Sequence, residues 1–211
     1  MAHKTFTHTV ISSICLILFI SFGLPSFRVA AQGLSDNTYT LPELPTFVKS
    51  VENGRSKELR GVYVEGIFEL KVVQQPANNP EYVSPLDDTV TQFSSASQLG
   101  NMGLLAHEIL SGSSISMLAP GQVVRLIYGQ GQIDSFLIVH IYRYQALNPF
   151  SPTSDFKNLD ENEYLTASQL FMKMYGGPRH LTFQTCTVID GNPAGGRMFV
   201  VAEPLQLQPS H

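Results

Sequence analysis

The chain has no tryptophan, two cysteines in 211 residues, and only 14% charged residues. Charge is thus well below the usual quarter of a soluble chain, and the composition excludes a disordered polyelectrolyte, a coiled coil and a collagen-like fibre. Thirteen Lys and Arg stand against 17 Asp and Glu. With no basic excess or basic run, nucleic acid is not an expected partner. Internal repeats are absent, and no close group of His, Cys and carboxylates at metal-ligand spacing suggests a metal or any other cofactor.

What is present is uneven. Residues 10–24 (VISSICLILFISFGL) hold no charge, follow Lys4, and lead to Pro25 and then Arg28-Val29-Ala30-Ala31. This is the layout of a secretory signal, with a weakly positive start, a short apolar middle and a small-residue exit. The run is short for a transmembrane helix, which needs about 20 apolar residues. Residues 1–31 are therefore expected to be a signal peptide cleaved after Ala31, or failing that a membrane anchor formed by residues 10–24. The expected location is outside the cell or on the outer face of its membrane. Without residues 1–31 the chain loses Lys4, Arg28 and Cys15, so 11 basic residues face 17 acidic ones and Cys186 is the remaining thiol. One thiol forms no internal disulfide, so Cys186 is either buried and inert or there to react.

Residues 32–60 are polar, contain prolines and show no sustained period, and read as an extended arm. Its Leu41-Pro42-Glu43-Leu44-Pro45-Thr46 stretch reads as a polyproline-like linker. From residue 61 to the end the texture is that of one domain. Apolar β-type runs occur at 61–73, 102–106, 123–128, 136–142, 180–188 and 197–202, with turn chemistry between them. Residues 129–131 (GQG) make a hairpin turn between two of these runs. Asp87-Asp88 reads as a solvated turn. Residues 165–175 form the one good amphipathic helix, closed by Gly176-Gly177-Pro178. Seven or eight short strands with one or two short helices describe a mostly β chain, folded as a small closed or partly closed barrel.

Chemistry-bearing residues collect at strand ends. Thr182-Phe183-Gln184-Thr185-Cys186 closes one β run with a thiol, and Arg197 opens the next. If those strands pair, thiol and guanidinium sit side by side. His107 ends another run and could complete a set suited to acyl transfer through a thioester: nucleophile, proton shuttle and fixed cation. By alternation Thr182, Gln184 and Cys186 share a face. His140, inside FLIVHIY, and His180, before the cysteine strand, are expected to be structural.

In these segments the chain resembles the sortases, cysteine transpeptidases of bacterial surfaces. The residues that carry the resemblance are Thr182-Phe183-Gln184-Thr185-Cys186 with Arg197 opening the following strand, Gly100-Asn101 with the apolar run to Ala106-His107, and Leu118-Ala119-Pro120-Gly121-Gln122 before a strand pair. They span residues 61–204 in the family's order. Phe183 stands where the family has Leu, and Ala106 where it has Gly. The resemblance implies a sortase-type barrel in which Cys186, His107 and Arg197 are catalytic and Thr182 and Thr185 lie on the substrate side. It implies a peptide or protein substrate bearing a sorting-type motif, and an amine acceptor such as a cell-wall peptide. Two alternatives stay open: a secreted peptidase of the same fold that uses water, and a non-catalytic binding module.

Overall fold

The computed structural model describes residues 41–151 and 153–205, so the signal expected at residues 1–31 and the arm up to residue 40 lie outside the described residues. Within them the chain runs α1 (Leu44–Val51), β1 (Leu59–Val64), β2 (Phe68–Gln74), β3 (Thr89–Gln92), α2 (Ser94–Gln98), β4 (Met102–Ala106), a π-helical turn (Glu108–Gly112) and α3 (Ser113–Ile115). It continues with β5 (Val123–Tyr128), β6 (Ile133–Ala146), β7 (Phe156–Asn158), β8 (Tyr164–Leu165), α4 (Ala167–Tyr175), β9 (Leu181–Ile189) and β10 (Asn192–Pro204).

The strand order is β10-β9-β4-β3-β2-β1-β5-β6, and β10 pairs back onto β6, closing an eight-stranded barrel. Strands β7 and β8 extend the sheet outward from β6. Two of the pairings in the ring, β2–β3 and β4–β9, are parallel, and the others are antiparallel. Closure removes the exposed edges that an open sheet of this size would carry. The interior is filled by alternate residues of each strand, among them Val62, Leu70, Leu104, Leu126, Phe136, Leu181, Phe183 and Val200, all at most 3% exposed. The barrel expected from the sequence is therefore present, with eight strands in the ring.

The extended arm is corrected in part. Residues 44–51 form helix α1, with Pro45 in its first turn, a position where its missing N–H costs nothing. Phe47 and Val51 pack on Tyr63 and Ile127 outside the barrel. Gly61 makes the approach possible, since a Cβ there would lie 2.9 Å from Phe47 Cε1. Leu44-Pro45-Thr46 is thus helical where a polyproline-like linker was expected, and the barrel begins two residues earlier, at Leu59.

The second packing layer lies on the outer face of β6, β9 and β10. Helix α4 covers it with Leu170, Met174 and Tyr175, which meet Tyr144, Ala146, Phe156 and Phe199. Its start is a capping box: Thr166 Oγ1 accepts from the Gln169 N–H, and Gln169 Oε1 accepts from the Thr166 N–H. Its end is tied down by Asn101, which is buried. Asn101 Nδ2 donates to the Tyr175 carbonyl at 2.8 Å, and Asn101 Oδ1 accepts from the His180 N–H at 2.8 Å.

Candidate active site

Strands β9 and β10 are antiparallel, and their register sets Cys186 directly opposite Arg197, Gln184 opposite Phe199 and Thr182 opposite Val201. Paired residues share a face, so Cys186, Arg197, Gln184 and Phe199 form one block on the outer side, where α4 lies. Strand β4 runs parallel to β9 on its other side and ends with Ala106 beside Thr185. His107 is the next residue. One hairpin and the end of a strand remote in sequence thus bring thiol, guanidinium and the histidine position to one end of the sheet.

Cys186 is half-buried and Arg197 partly covered, while His107 is exposed. Arg197 Nη1 donates to the Ala194 carbonyl at 2.9 Å and to the Gly196 carbonyl at 2.8 Å, carbonyls of its own hairpin. The guanidinium is held by one nitrogen, and its other N–H groups have no partner among the described residues. The backbone around His107 is fixed just as locally. Its carbonyl accepts from the Leu110 N–H at 3.1 Å and the Gly112 N–H at 2.9 Å, which winds the chain into the π-helical turn. Gly112 fits because it has no Cβ; one there would run into Thr185 Oγ1 and the His107 carbonyl. This close approach keys the histidine turn to the residue before the cysteine.

The two threonines expected on the substrate side sit deeper than that. Thr182 is fully buried and its hydroxyl donates to the Met174 carbonyl at 2.8 Å, so it shares Cys186's face but lies beneath the end of α4. Thr185 is 2% exposed and points to the barrel side against Gly112; its Oγ1 has no partner among the described residues. The residue on the open face beside the thiol is Gln184, whose Oε1 accepts from the Tyr175 hydroxyl at 2.7 Å. Burial pushes the Tyr175 hydroxyl far above the ordinary tyrosine value, so it stays a neutral donor. His180 is buried with its ring nitrogens 2.7 Å from the Pro178 carbonyl and 2.8 Å from the Met174 carbonyl, and His140 is an exposed ring tilted on Tyr142. His180 is thus held by backbone carbonyls, while His140 lines a cleft of about 570 Å³ with Lys173 and Arg179.

Beside the block runs a groove of about 260 Å³, lined by Phe93, Phe171, Tyr175, Gln184, Arg197 and Phe199 among others. Its aromatic walls come from α2's approach, α4 and β10, and Arg197 is the one charged side chain among the described residues that line it. The sequence marked Gln184 through its two-residue spacing from Cys186. Phe93, Phe171 and Phe199 carry no motif and are brought together by the sheet register and the seating of α4. Among the described residues, no group of three or more His, Cys, Asp or Glu is placed to hold a metal ion. No helix among them is long and apolar enough to cross a membrane.

No family model matches the chain, and no curated protein matches it in sequence. Many of the solved structures that its fold resembles are sortases. A sortase D5 transpeptidase of Clostridium perfringens is 13% identical, with a TM-score of 0.45 over 78% of this chain and 90% of that one. A sortase C1 of Streptococcus suis is 13% identical, with a TM-score of 0.48 over 79% and 80%. A sortase C-1 of Actinomyces oris is 12% identical, with a TM-score of 0.47 over 80% and 83%. At these values the likeness says nothing about this chain's chemistry, which is argued from its own side chains.

Proposed function

We propose that the protein is a cysteine acyltransferase of the sortase type, which cleaves a peptide through a thioester on Cys186 and passes the acyl group to an amine. The observation that supports this best is the β9–β10 register, which sets a half-buried thiol directly across from a guanidinium with donors to spare, at the strand end where β4 delivers His107.

In this reading the peptide lies in the aromatic groove and the ionised Cys186 sulfur attacks its scissile carbonyl carbon. The negative charge that develops on the carbonyl oxygen is met by the N–H donors of Arg197 that its own hairpin leaves free. A forked, permanently charged donor set serves that purpose better than a lysine point charge. His107 gives a proton to the departing nitrogen as the C–N bond breaks, leaving the thioester. An incoming amine then attacks the thioester carbon, His107 takes a proton from the attacking nitrogen, and the C–S bond breaks to release the sulfur. Water in place of the amine would yield a carboxylic acid by the same steps. Action on an exported or surface-held peptide follows from the signal expected at residues 1–31.

The test is to incubate the protein with a peptide library and measure its intact mass. Expected is an acyl adduct on Cys186 that hydroxylamine releases as a hydroxamate and that the Cys186→Ala variant lacks. If the library leaves no adduct and no cleaved peptide, the non-catalytic binding module becomes the better reading.

A further inference from the structure

The aromatic groove holds one polar pair that the acylation steps leave unused. Tyr175, 1% exposed, is wedged among rings, its centroid 5.3 Å from those of Phe93 and Phe171 and 6.5 Å from that of Phe199. Strand β4 makes room for it at Gly103, where a Cβ would lie 3.0 Å from Tyr175 Cε1. Its carbonyl accepts from Asn101 Nδ2 at 2.8 Å, so ring and backbone are both fixed. The hydroxyl of this rigid residue donates to Gln184 Oε1 at 2.7 Å. That takes up the amide oxygen and turns the amide nitrogen the other way. Gln184 is half-buried and lines the groove, and its Nε2 has no partner among the described residues. Two N–H donors fixed between aromatic walls suit a ligand that brings a hydrogen-bond acceptor.

The spacing along β9 selects the acceptor. Gln184 and Cys186 are two residues apart and share a face, a step of about 7 Å along the strand. Arg197, across from Cys186, offers its free N–H groups at the far end of that step. An extended peptide turns alternate carbonyls to the same side with the same period. With its scissile carbonyl at Arg197, such a peptide brings the carbonyl two residues away to Gln184. The contact serves both halves of the reaction only on the part that stays behind as the thioester, since the other part departs with its amine.

We propose that Gln184, aimed by the Tyr175 hydroxyl, sets the register of the substrate: its Nε2 donates to the backbone carbonyl two residues to the acyl side of the scissile one. The inference rests on the acyl-transfer reading and adds which substrate atom is read and in what conformation the peptide binds. Because the contact is to main chain, Gln184 selects an extended segment at this point rather than a particular side chain. A peptide that turns within two residues of the scissile bond loses it. Tyr175 acts through Gln184 and is a positioning residue.

Two measurements on the purified protein test it. In the first, kcat/KM is measured for a peptide that the library identifies and for its thioamide derivatives. In each of these one carbonyl oxygen is replaced by sulfur, a poorer acceptor. Away from the scissile carbonyl, the unaltered protein should lose activity at one position only, two residues to the acyl side. Gln184→Met keeps the reach of the side chain without its donors. It should lower kcat/KM about tenfold, the value of one hydrogen bond, and turn over that thioamide as well as its parent. Tyr175→Phe, which keeps the ring, should shrink the same thioamide loss. A loss at another position or at none, or one undiminished in Gln184→Met, overturns the proposal while leaving acyl transfer intact. In the second, the Gln184 side-chain amide protons, assigned by their absence from Gln184→Met, are followed while N-acetyltetraalanine amide is added as a plain backbone probe. Expected is a downfield shift of one proton that Tyr175→Phe weakens; no shift, or an equal one in Tyr175→Phe, overturns the contact. If the unaltered protein forms no acyl-enzyme, acyl transfer itself fails, and this second measurement still decides whether Gln184 holds a peptide carbonyl.

Discussion

At the residue scale the arrangement turns on what Cys186, Arg197 and Gly112 touch. A thiol that is half-buried at a strand end, rather than sealed in the barrel, should react with a methanethiosulfonate reagent in the native protein. Stoichiometric labelling without denaturant, read by mass, checks this. Arg197→Lys should lower kcat/KM by about 10²–10³-fold, because an ammonium held by the Ala194 and Gly196 carbonyls leaves no second fork for the oxyanion. Steady-state kinetics on any peptide the library identifies reads the loss. Gly112→Ala should cost about 1–3 kcal/mol, since its methyl meets a backbone carbonyl and a buried hydroxyl rather than open space. A thermal melt shows the cost, and a parallel fall in native labelling of Cys186 would show that the turn sets the site. The pairing of Cys186 with Arg197 was legible in the sequence because a short turn joins their two β runs, whereas His107 was set beside them by the resemblance. Gly112 was not legible, because its importance lies in the close contact with Thr185, a residue 73 positions away in the chain.

At the element scale the decisive piece is α4, which closes the aromatic groove and buries the outer face of β9 and β10. It was legible because its amphipathic face and the Gly176-Gly177-Pro178 stop are local. The short β7 and β8 were not, because two- and three-residue strands carry no period and form only by pairing with β6. Helix α1 was missed for a related reason: its prolines outweighed an apolar face that becomes visible only against Tyr63 and Ile127. Leu170→Ala should destabilise by about 2–5 kcal/mol, as expected for a side chain 3% exposed between α4 and the sheet. Chemical denaturation measures that loss. The helix is also pinned by Lys173 Nζ, 2.6 Å from Glu163 Oε2 in the turn between β7 and β8. The Lys173 hydrogen bond holds Glu163 below the usual carboxylate range. Partial burial works against the Lys173 charge, yet Glu163 and the Tyr144 hydroxyl hold it above the ordinary lysine value. The contribution of Glu163 is therefore present above the ordinary carboxylate value and fades as pH falls through its lowered one. That of Lys173 is present below the ordinary lysine value and fades as pH rises through its raised one. Hydrogen-exchange protection of α4, corrected for intrinsic rates, should drop as pH falls below the ordinary carboxylate range. Glu163→Gln should abolish that dependence on pH.

At the scale of the whole molecule, a closed barrel explains how the β9–β10 hairpin and the distant end of β4 converge. Strand β4 must run parallel to β9 to bring the residue after Ala106 to the Cys186 end, and β10 must turn back antiparallel to bring Arg197 there. The mostly β class and a ring of seven or eight strands could be read from apolar runs and turns, and eight are in the ring. The order around the ring, with β9 between β4 and β10, could not, since it depends on pairings across more than 70 residues. Beside the Cys186–Arg197 pair the outer face carries an aromatic groove lined by Phe93, Phe171, Phe199 and Arg197. The most direct test is intact-mass spectrometry of the protein after incubation with a peptide library, with and without hydroxylamine. Expected is a single acyl adduct that maps to Cys186, disappears as hydroxamate forms, and is absent from Cys186→Ala. Cleaved peptide in the Cys186→Ala variant, or a library left wholly intact by a protein whose Cys186 still labels freely, would contradict acyl transfer through this thiol.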